Sequence, residues 1–422
     1  MGKNSSPYTW ITDVSKQERE SGHSIDLSIK KLETRRSFVT MIDAPGCSHN
    51  SIDHVKNMIV GVSLADCAIL VVSAFSDDFE KGMFENKVTR DHAIIAHRMG
   101  IENMIVVINK MDVTVPEYSE KRYVEIKNQV AEQLTRIGFE PSNLNFIPVS
   151  GLNGDNLIED SRKLSWFAEK LLTSLSLQEM PSSITTLIDA IDAIQIPKKE
   201  IKIPLRIVIY VVFDTKKNST CQKSGAKICG RIVSGIIKKG LEINISPIDR
   251  RSRIKSIKKN KEEVDIAAAG DIVQLHIPDV LPINVLPGYV ISDKNDRPAK
   301  QCKSFTSQIS IFDHQKEIHS GYSVFIHCHA VYFPCTIQKI CKKVDPETGE
   351  TIDLNPKCIK NEETLIVEMV PKKEICVEMY DDFPTLARFI IRKTGKLIGF
   401  GRITEVHHID ESDSQKEDVN ST

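Results

Sequence analysis

Met104-Ile105-Val106-Val107-Ile108-Asn109-Lys110-Met111-Asp112 decides how the first half of this chain is read. The apolar run reads as a buried strand, and the polar tetrad N-K-x-D closes it. In open α/β sheets ligands sit outside the carboxyl ends of the strands, so the tetrad stands where a ligand belongs. Its chemistry suits guanine. The Asp112 carboxylate accepts from N1–H and the exocyclic amine, the Asn109 amide reads the purine edge, and the Lys110 stem lies over the ring. Adenine offers the carboxylate no matching pair of donors, so a buried acceptor would go unpaired.

Two further strand ends fit the same ligand. Ser37-Phe38-Val39-Thr40-Met41-Ile42 runs into Asp43-Ala44-Pro45-Gly46. In such a turn Asp43 is suited to hold a Mg²⁺-bound water, and Gly46 lets a backbone N–H approach a phosphate oxygen with no Cβ in the way. Taken alone, D-x-P-G is more often a plain strand ending in a Pro-Gly turn. Phe146-Ile147-Pro148-Val149 leads into Ser150-Gly151-Leu152, a small loop from which a backbone N–H reaches guanine O6. Nowhere do the 422 residues contain G-x-x-x-x-G-K-S/T, the loop that wraps phosphates, and Gly2-Lys3 is its nearest echo. The expectation is a base-reading half without a phosphate-gripping half, and hence weak GTP affinity.

At 422 residues and 47.5 kDa the chain has room for two or three domains. A formal net charge of −1 predicts no strong global field, so any nucleic-acid contact must come from local patches. Ten cysteines at irregular spacing read as reduced thiols. No charged-then-apolar leader opens the chain, and no apolar run reaches membrane-spanning length. A cytoplasmic protein without membrane contact is expected.

Up to about residue 195, strand ends at Ile42, Ser73, Asn109 and Ser150 are each followed by a segment of helical length, which predicts a parallel sheet with crossover helices. Thr89–Arg98 reads as a helix ending at Gly100. Its His92 and His97, five residues apart, fall on different faces and read as packing or solvated residues rather than metal ligands. From about residue 200 short β-branched runs alternate with turns, including Pro204–Tyr210, Gly230–Gly235, Asp271–Ile277 and Gly288–Ser292, which predicts a small antiparallel barrel. Asn295–Cys302 reads as a linker, Ser304 to Thr404 as a second all-β unit, and the acidic Ile409–Thr422 as disordered.

His327-Cys328-His329 with Cys335, Cys341 and Cys358 fits no standard zinc spacing, and adjacent strand residues face opposite ways. Arg250-Arg251-Ser252-Arg253-Ile254-Lys255-Ser256-Ile257-Lys258-Lys259 reads equally as a charge-blunted barrel edge or as an RNA-backbone contact.

The chain resembles the translational GTPases of the elongation factor 1-alpha type. The resemblance rests on Glu18-Arg19-Glu20-Ser21-Gly22-His23-Ser24-Ile25-Asp26, Lys56-Asn57-Met58-Ile59, Ala65-Asp66-Cys67-Ala68-Ile69-Leu70, Asn109–Asp112, Ser150–Asn156, Leu187–Asp192, Ser320-Gly321-Tyr322 and Phe383–Phe389. It covers nearly the whole chain. It implies an α/β G domain with an incomplete P-loop NTPase-type parallel sheet over 1–195, then two all-β barrel domains over 200–297 and 303–408, and a tail over 409–422. It further implies GTP/GDP and Mg²⁺ as ligands, and delivery of aminoacyl-tRNA to the ribosome. A guanine-nucleotide exchange factor and a monomeric state follow by the same likeness. Release-factor and ribosome-rescue GTPases share the layout, but Ser150-Gly151-Leu152-Asn153-Gly154-Asp155-Asn156 fits the elongation factor better. A non-hydrolysing binding module for tRNA, ribosome or exchange factor is the alternative from another class.

Departures from the pattern bear on catalysis. Met1-Gly2-Lys3-Asn4-Ser5 resembles an interior segment of the G domain, which implies that the first strand, phosphate loop and first helix lie upstream. The sheet would then be open between the strand ending at Asp43 and the strand through Leu70. Ser24 stands at the switch threonine and offers a hydroxyl to Mg²⁺. Cys47 stands at the histidine that positions attacking water, with His49 and His54 as substitutes in a segment, Cys47 to Val55, that is longer than the family's. The second domain carries extra polar residues from Thr215 to Lys223.

Overall fold

The computed structural model describes residues 18, 27–46, 52–85, 87–174, 184–196, 198–213, 225–314 and 316–409. Two compact units divide the chain, Met1–Pro197 and Lys198–Thr422.

In the first unit the described strands and α-helices run β1 (Ser28–Glu33), β2 (Phe38–Asp43), α1 (Ile52–Ser63), β3 (Ala68–Ser73), α2 (Ser76–Glu80), α3 (Val88–Met99), β4 (Met104–Asn109), α4 (Glu120–Ile137), β5 (Leu144–Pro148), α5 (Ser165–Ser174) and α6 (Leu187–Ala193). Strand β4 lies between β3 and β5, all parallel, as the alternation of strands and helices predicts. Met104 to Ile108 are all buried, as befits a strand covered on both faces. Helix α4 opens at Ser119, whose hydroxyl accepts from the Arg122 N–H, and buries Tyr123, Ile126, Val130, Leu134 and Ile137 along one stripe. Gly138 stops it at φ 120°, a backbone state that a side chain would strain. Helix α3 ends at Gly100, as its sequence predicts. His92 is enclosed, and burial pushes its imidazole down to about 4. His97 stacks on Phe139 and meets the Gly138 carbonyl at 3.1 Å, so both histidines are packing residues.

Among the described residues β2 and β3 belong to separate sheets. Strand β2 pairs antiparallel with β1, β3 pairs with β4, and among the described residues no strand joins β2 to β3. Apolar side chains lie exposed on both strands. Val71 is 58% and Phe38 78% exposed, and among the described residues β3 pairs with β4 alone.

The second unit is all β apart from short turns of helix. Its first part comprises β6 (Arg206–Phe213), β7 (Ala226–Ser234), β8 (Ile236–Lys238), β9 (Glu242–Ser246), β10 (Arg250–Arg253), β11 (Ser256–Lys259), β12 (Glu262–Val264), β13 (Ile266–Ala268), β14 (Ile272–Ile277) and β15 (Val290–Asp293). Eight of these form one sheet in the order β10-β9-β15-β6-β7-β14-β11-β12, with β8–β13 as a separate ribbon, all around one aliphatic core. The second part comprises β16 (Cys302–Ile311), β17 (Tyr322–Cys328), β18 (Val331–Val344), β19 (Thr351–Asp353), β20 (Glu363–Pro371), the helical turn α7 (Pro384–Ala387), β21 (Arg388–Lys393) and β22 (Lys396–His408). Here β17 pairs with both β21 and β18, so six strands close a barrel on a core centred on Phe305, Phe333 and Phe389. Closure removes the sheet edges.

One expectation needs adjustment, and two fall on residues outside those described. The stretch 295–302 is docked rather than a loose linker: Ala299 is buried and its N–H donates to Ser292 Oγ, while Arg297 pairs with Asp382 at 2.8 Å. Turn composition alone does not reveal such docking, because the contacts are to residues remote in sequence. Among the described residues no group of three or more His, Cys, Asp or Glu is placed to hold a metal, and Cys328 donates its thiol to the Leu386 carbonyl inside the barrel. The segments 215–223 and 410–422 lie outside the described residues.

Candidate guanine-nucleotide site

Parallel pairing sets the site. With β4 in register between β3 and β5, Asn109 lies opposite Ser73, and Ser150 follows two residues beyond Pro148, the partner of Ile108. The chain therefore delivers both predicted base-reading loops to one end of the sheet. Asn109 Oδ1 accepts from the backbone N–H of Lys110 at 2.7 Å and of Gly151 at 2.8 Å. That occupies the amide oxygen and leaves Nδ2 to donate toward a purine edge. Ser150 is fully buried, and its hydroxyl donates to Asp112 Oδ1 at 2.6 Å. One carboxylate oxygen is thus tied to the protein, which fixes the rotation of the group.

Gly151 sits close against Asn109, and its constraint is space rather than torsion. A Cβ at that position would lie 3.2 Å from Asn109 Oδ1 and crowd the contact that ties the two loops. Lys110 takes φ 65°, and its ammonium pairs with Asp78 on α2 at 2.7 Å. The hydrogen bond from Lys110 is the main cause holding the Asp78 carboxyl below its ordinary value, with the Ser73 hydroxyl adding to it. Leu152 is 61% exposed, so its part in a site is through backbone.

Behind these residues lies a network with no motif to announce it. Tyr118 donates to Asp155 Oδ2 at 2.7 Å and receives the Asn153 amide at 3.1 Å. Ser161 donates to the other Asp155 oxygen at 2.8 Å, and the Lys163 ammonium lies 3.4 Å from the carboxylate. The Asp155 carbonyl in turn accepts from the Ser150 N–H at 3.2 Å, so the network braces the loop that carries Ser150 and Gly151. Burial pushes the Asp155 carboxyl up, but the hydrogen bonds from Tyr118 and Ser161 and the charge of Lys163 outweigh it and hold the group below 3.8. A depressed carboxyl stabilises the folded loop above its unfolded value, and that contribution is lost as pH falls through the lower folded value. In a Trp10→Phe background, Trp166, whose indole donates to the Tyr118 carbonyl, reports on this region. Its fluorescence is expected to show an acid transition, below the ordinary aspartate range, that Asp155→Asn abolishes. An unchanged transition in Asp155→Asn would assign it to another group.

Asp43 ends β2, and no described atom lies within 4 Å of where a Cβ would project from Gly46. Ser24, Cys47 and His49 lie outside the described residues, and of His54 only its place on α1 is described. Asn109, Asp112, Ser150 and Gly151 are therefore joined by direct hydrogen bonds, whereas Asp43 and Gly46 are the part of the phosphate and Mg²⁺ expectation that falls on described residues.

A parallel sheet with guanine-shaped loops at its carboxyl end, followed by two β units, is the layout of translational GTPases. Residues 2–196 match the sequence model of the elongation factor Tu GTP binding domain, and residues 304–404 match that of the GTP-eEF1A C-terminal domain. Together these span more than half of the chain, which belongs to the translational GTPase family on its elongation factor 1-alpha side. Elongation factor SelB from Methanococcus maripaludis, bound to the GTP analogue GppNHp, is similar at 21% identity and TM-score 0.64, covering 92% of this chain and 75% of that one. A bacterial selenocysteine-specific elongation factor EF-Sec is similar at 18% identity and TM-score 0.63, covering 97% of this chain and 57% of that one. Sup35 complexed with GMPPNP matches at 24% identity and TM-score 0.46, over 90% of this chain and 84% of that one. At these identities the structural likeness is one of fold. No described helix is long and apolar enough to cross a membrane.

Proposed function

We propose that this chain is an elongation factor 1-alpha-like translation factor that binds GTP and GDP and carries aminoacyl-tRNA to the ribosome, with a G domain over 1–195 and barrel domains over 200–297 and 303–408. The observation that carries the reading is the joining of Asn109, Asp112, Ser150 and Gly151 by short hydrogen bonds at one end of a parallel sheet. In this reading Asn109, Lys110 and Asp112 read the base edge, and a backbone N–H of the Ser150-Gly151-Leu152 loop meets O6, that of Leu152 being the one left once Ser150 donates to the Asp155 carbonyl and Gly151 to Asn109 Oδ1. Asp43, through water, and Ser24, through its hydroxyl, would hold Mg²⁺, with Gly46 beside the phosphate. An exchange factor is the expected regulatory partner of such a site.

The discriminating experiment uses the labile ester of aminoacyl-tRNA. A carrier shields that ester, so spontaneous deacylation should slow in the presence of the protein and GTP, and much less with GDP. Equal deacylation with and without the protein would sink the carrier reading. Cys47, a thiol at the family's water-positioning histidine, favours a second reading in which nucleotide and RNA are bound without hydrolysis. Ester protection without ribosome-stimulated phosphate release is its signature.

A further inference from the structure

Residues 250–261 hold seven cations and no acid, in a chain whose formal net charge is −1. In the structure β10 is the end strand of the eight-stranded sheet and pairs only with β9. The chain crosses from β10 to β11 through Ile254, and Ile254 and Ile257 point into the aliphatic core. The intervening cations are thereby turned outward. Three of them have carboxylate partners: Arg253 with Glu242 at 3.1 Å, Lys258 with Glu263 at 3.9 Å, and Lys259 with Asp271 at 2.9 Å. Arg250, Arg251, Lys255 and Lys261 are exposed and form no ion pair among the described residues. Arg250 donates only to the Asp279 carbonyl, at 3.2 Å.

A strand edge needs only a charge or two to discourage pairing with another sheet. Four uncompensated cations beside three compensated ones exceed that need and concentrate positive potential along one track. We propose that this edge of the second domain holds an RNA phosphodiester backbone. The guanidinium forks of Arg250 and Arg251 match phosphate oxygens, and the order of cations along an extended stretch suits successive phosphates better than a single anion. No aromatic residue occurs between positions 250 and 261, so the contact lacks a stacking platform and reads charge and spacing rather than sequence. The exposed Leu281 and Ile283 approach the track only near its Arg250 end, through the loop that bears Asp279, which makes an anionic bilayer the competing occupant. The choice of RNA rests on the carrier reading above.

The test measures binding of a fluorescein-labelled RNA stem–loop to the full chain by anisotropy, across salt concentrations and without nucleotide. Wild-type protein is compared with a quadruple variant, Arg250→Ala, Arg251→Ala, Lys255→Ala and Lys261→Ala. A charge-matched control on the third domain carries Lys316→Ala, Lys357→Ala, Lys373→Ala and Lys396→Ala. Each phosphate contact contributes about 0.7–0.9 to the salt slope, so the quadruple variant should bind at least about tenfold more weakly and flatten the slope by about 3, while the control stays near wild type. All eight positions are exposed, so circular dichroism should show both variants folded as wild type. Equal losses in the two variants would overturn the proposal, as would wild-type binding to phosphatidylserine vesicles but not to RNA. If ester protection persists in the quadruple variant while stem–loop binding was never detected, the edge proposal fails and the carrier reading stands. If neither is seen in wild type, both fail.

Discussion

Asp112→Asn is expected to lower affinity for guanine nucleotides by about 10²–10⁴-fold and to raise affinity for xanthosine nucleotides. In the proposed pose the carboxylate would supply two charge-assisted hydrogen bonds to guanine, each worth about 1.5–3 kcal/mol. An amide keeps the acceptor for N1–H but turns its other atom into a donor facing the exocyclic amine, so two donors meet. Xanthine carries a carbonyl where guanine carries that amine, and the mismatch disappears. The local frame survives the change, because Ser150 Oγ donates to Asp112 Oδ1 at 2.6 Å and an amide oxygen accepts the same bond. Ligand-observed NMR with GDP, XDP and ADP reads the selectivity ratio even where absolute binding is weak. GDP retained over XDP by the variant would mean that Asp112 does not face the base. Inosine nucleotides give an internal check on wild type, since they lack only the amine and should lose about one such bond.

What the sequence made legible follows its local periodicities. Strand β4 was readable because five apolar residues in a row end in a polar tetrad, and α4 as the segment of helical length from Tyr118 to Gly138 that follows it. The site's first layer was readable for the same reason: Asn109, Asp112, Ser150 and Gly151 each sit just past a strand end. The layer behind them was not. Tyr118 reaches Asp155 across 37 residues and Lys110 reaches Asp78 across 32, pairings of residue types that occur anywhere on a polar surface. The opening between β2 and β3 was predicted through the family resemblance, not through any property of the strands themselves. Nor did the turn-like composition of 295–302 reveal that Arg206 donates into it at the Arg297 carbonyl.

Arg206→Ala should cost about 3–5 kcal/mol of stability in the second unit, because it leaves a partly buried carboxylate without its partner. The Arg206 side chain is 3% exposed and that of Glu378 13%, with Nε and Oε1 at 2.6 Å. Two further donors go to the carbonyls of Leu205 at 3.0 Å and Arg297 at 2.8 Å, and the guanidinium lies 4.4 Å from the centre of the Phe383 ring. Arg206 begins β6, in the first β sheet, whereas Glu378 and Phe383 belong to the stretch between β20 and β21, so a single side chain bolts the two β modules together. The desolvation penalty makes the intact pair worth less than its breakage suggests. Arg206→Met combined with Glu378→Leu should therefore recover much of the loss, short of full recovery because two backbone carbonyls lose their donor. Urea unfolding of the wild type, both single variants and the double variant gives the coupling energy directly. A loss under about 1 kcal/mol for Arg206→Ala would place the pair among exposed surface bridges and contradict its burial. The single variants should also expose 294–300 to protease before either β module unfolds, because Arg206 is one of the side chains that hold that connection down, beside the Ala299–Ser292 and Lys294–Glu242 contacts.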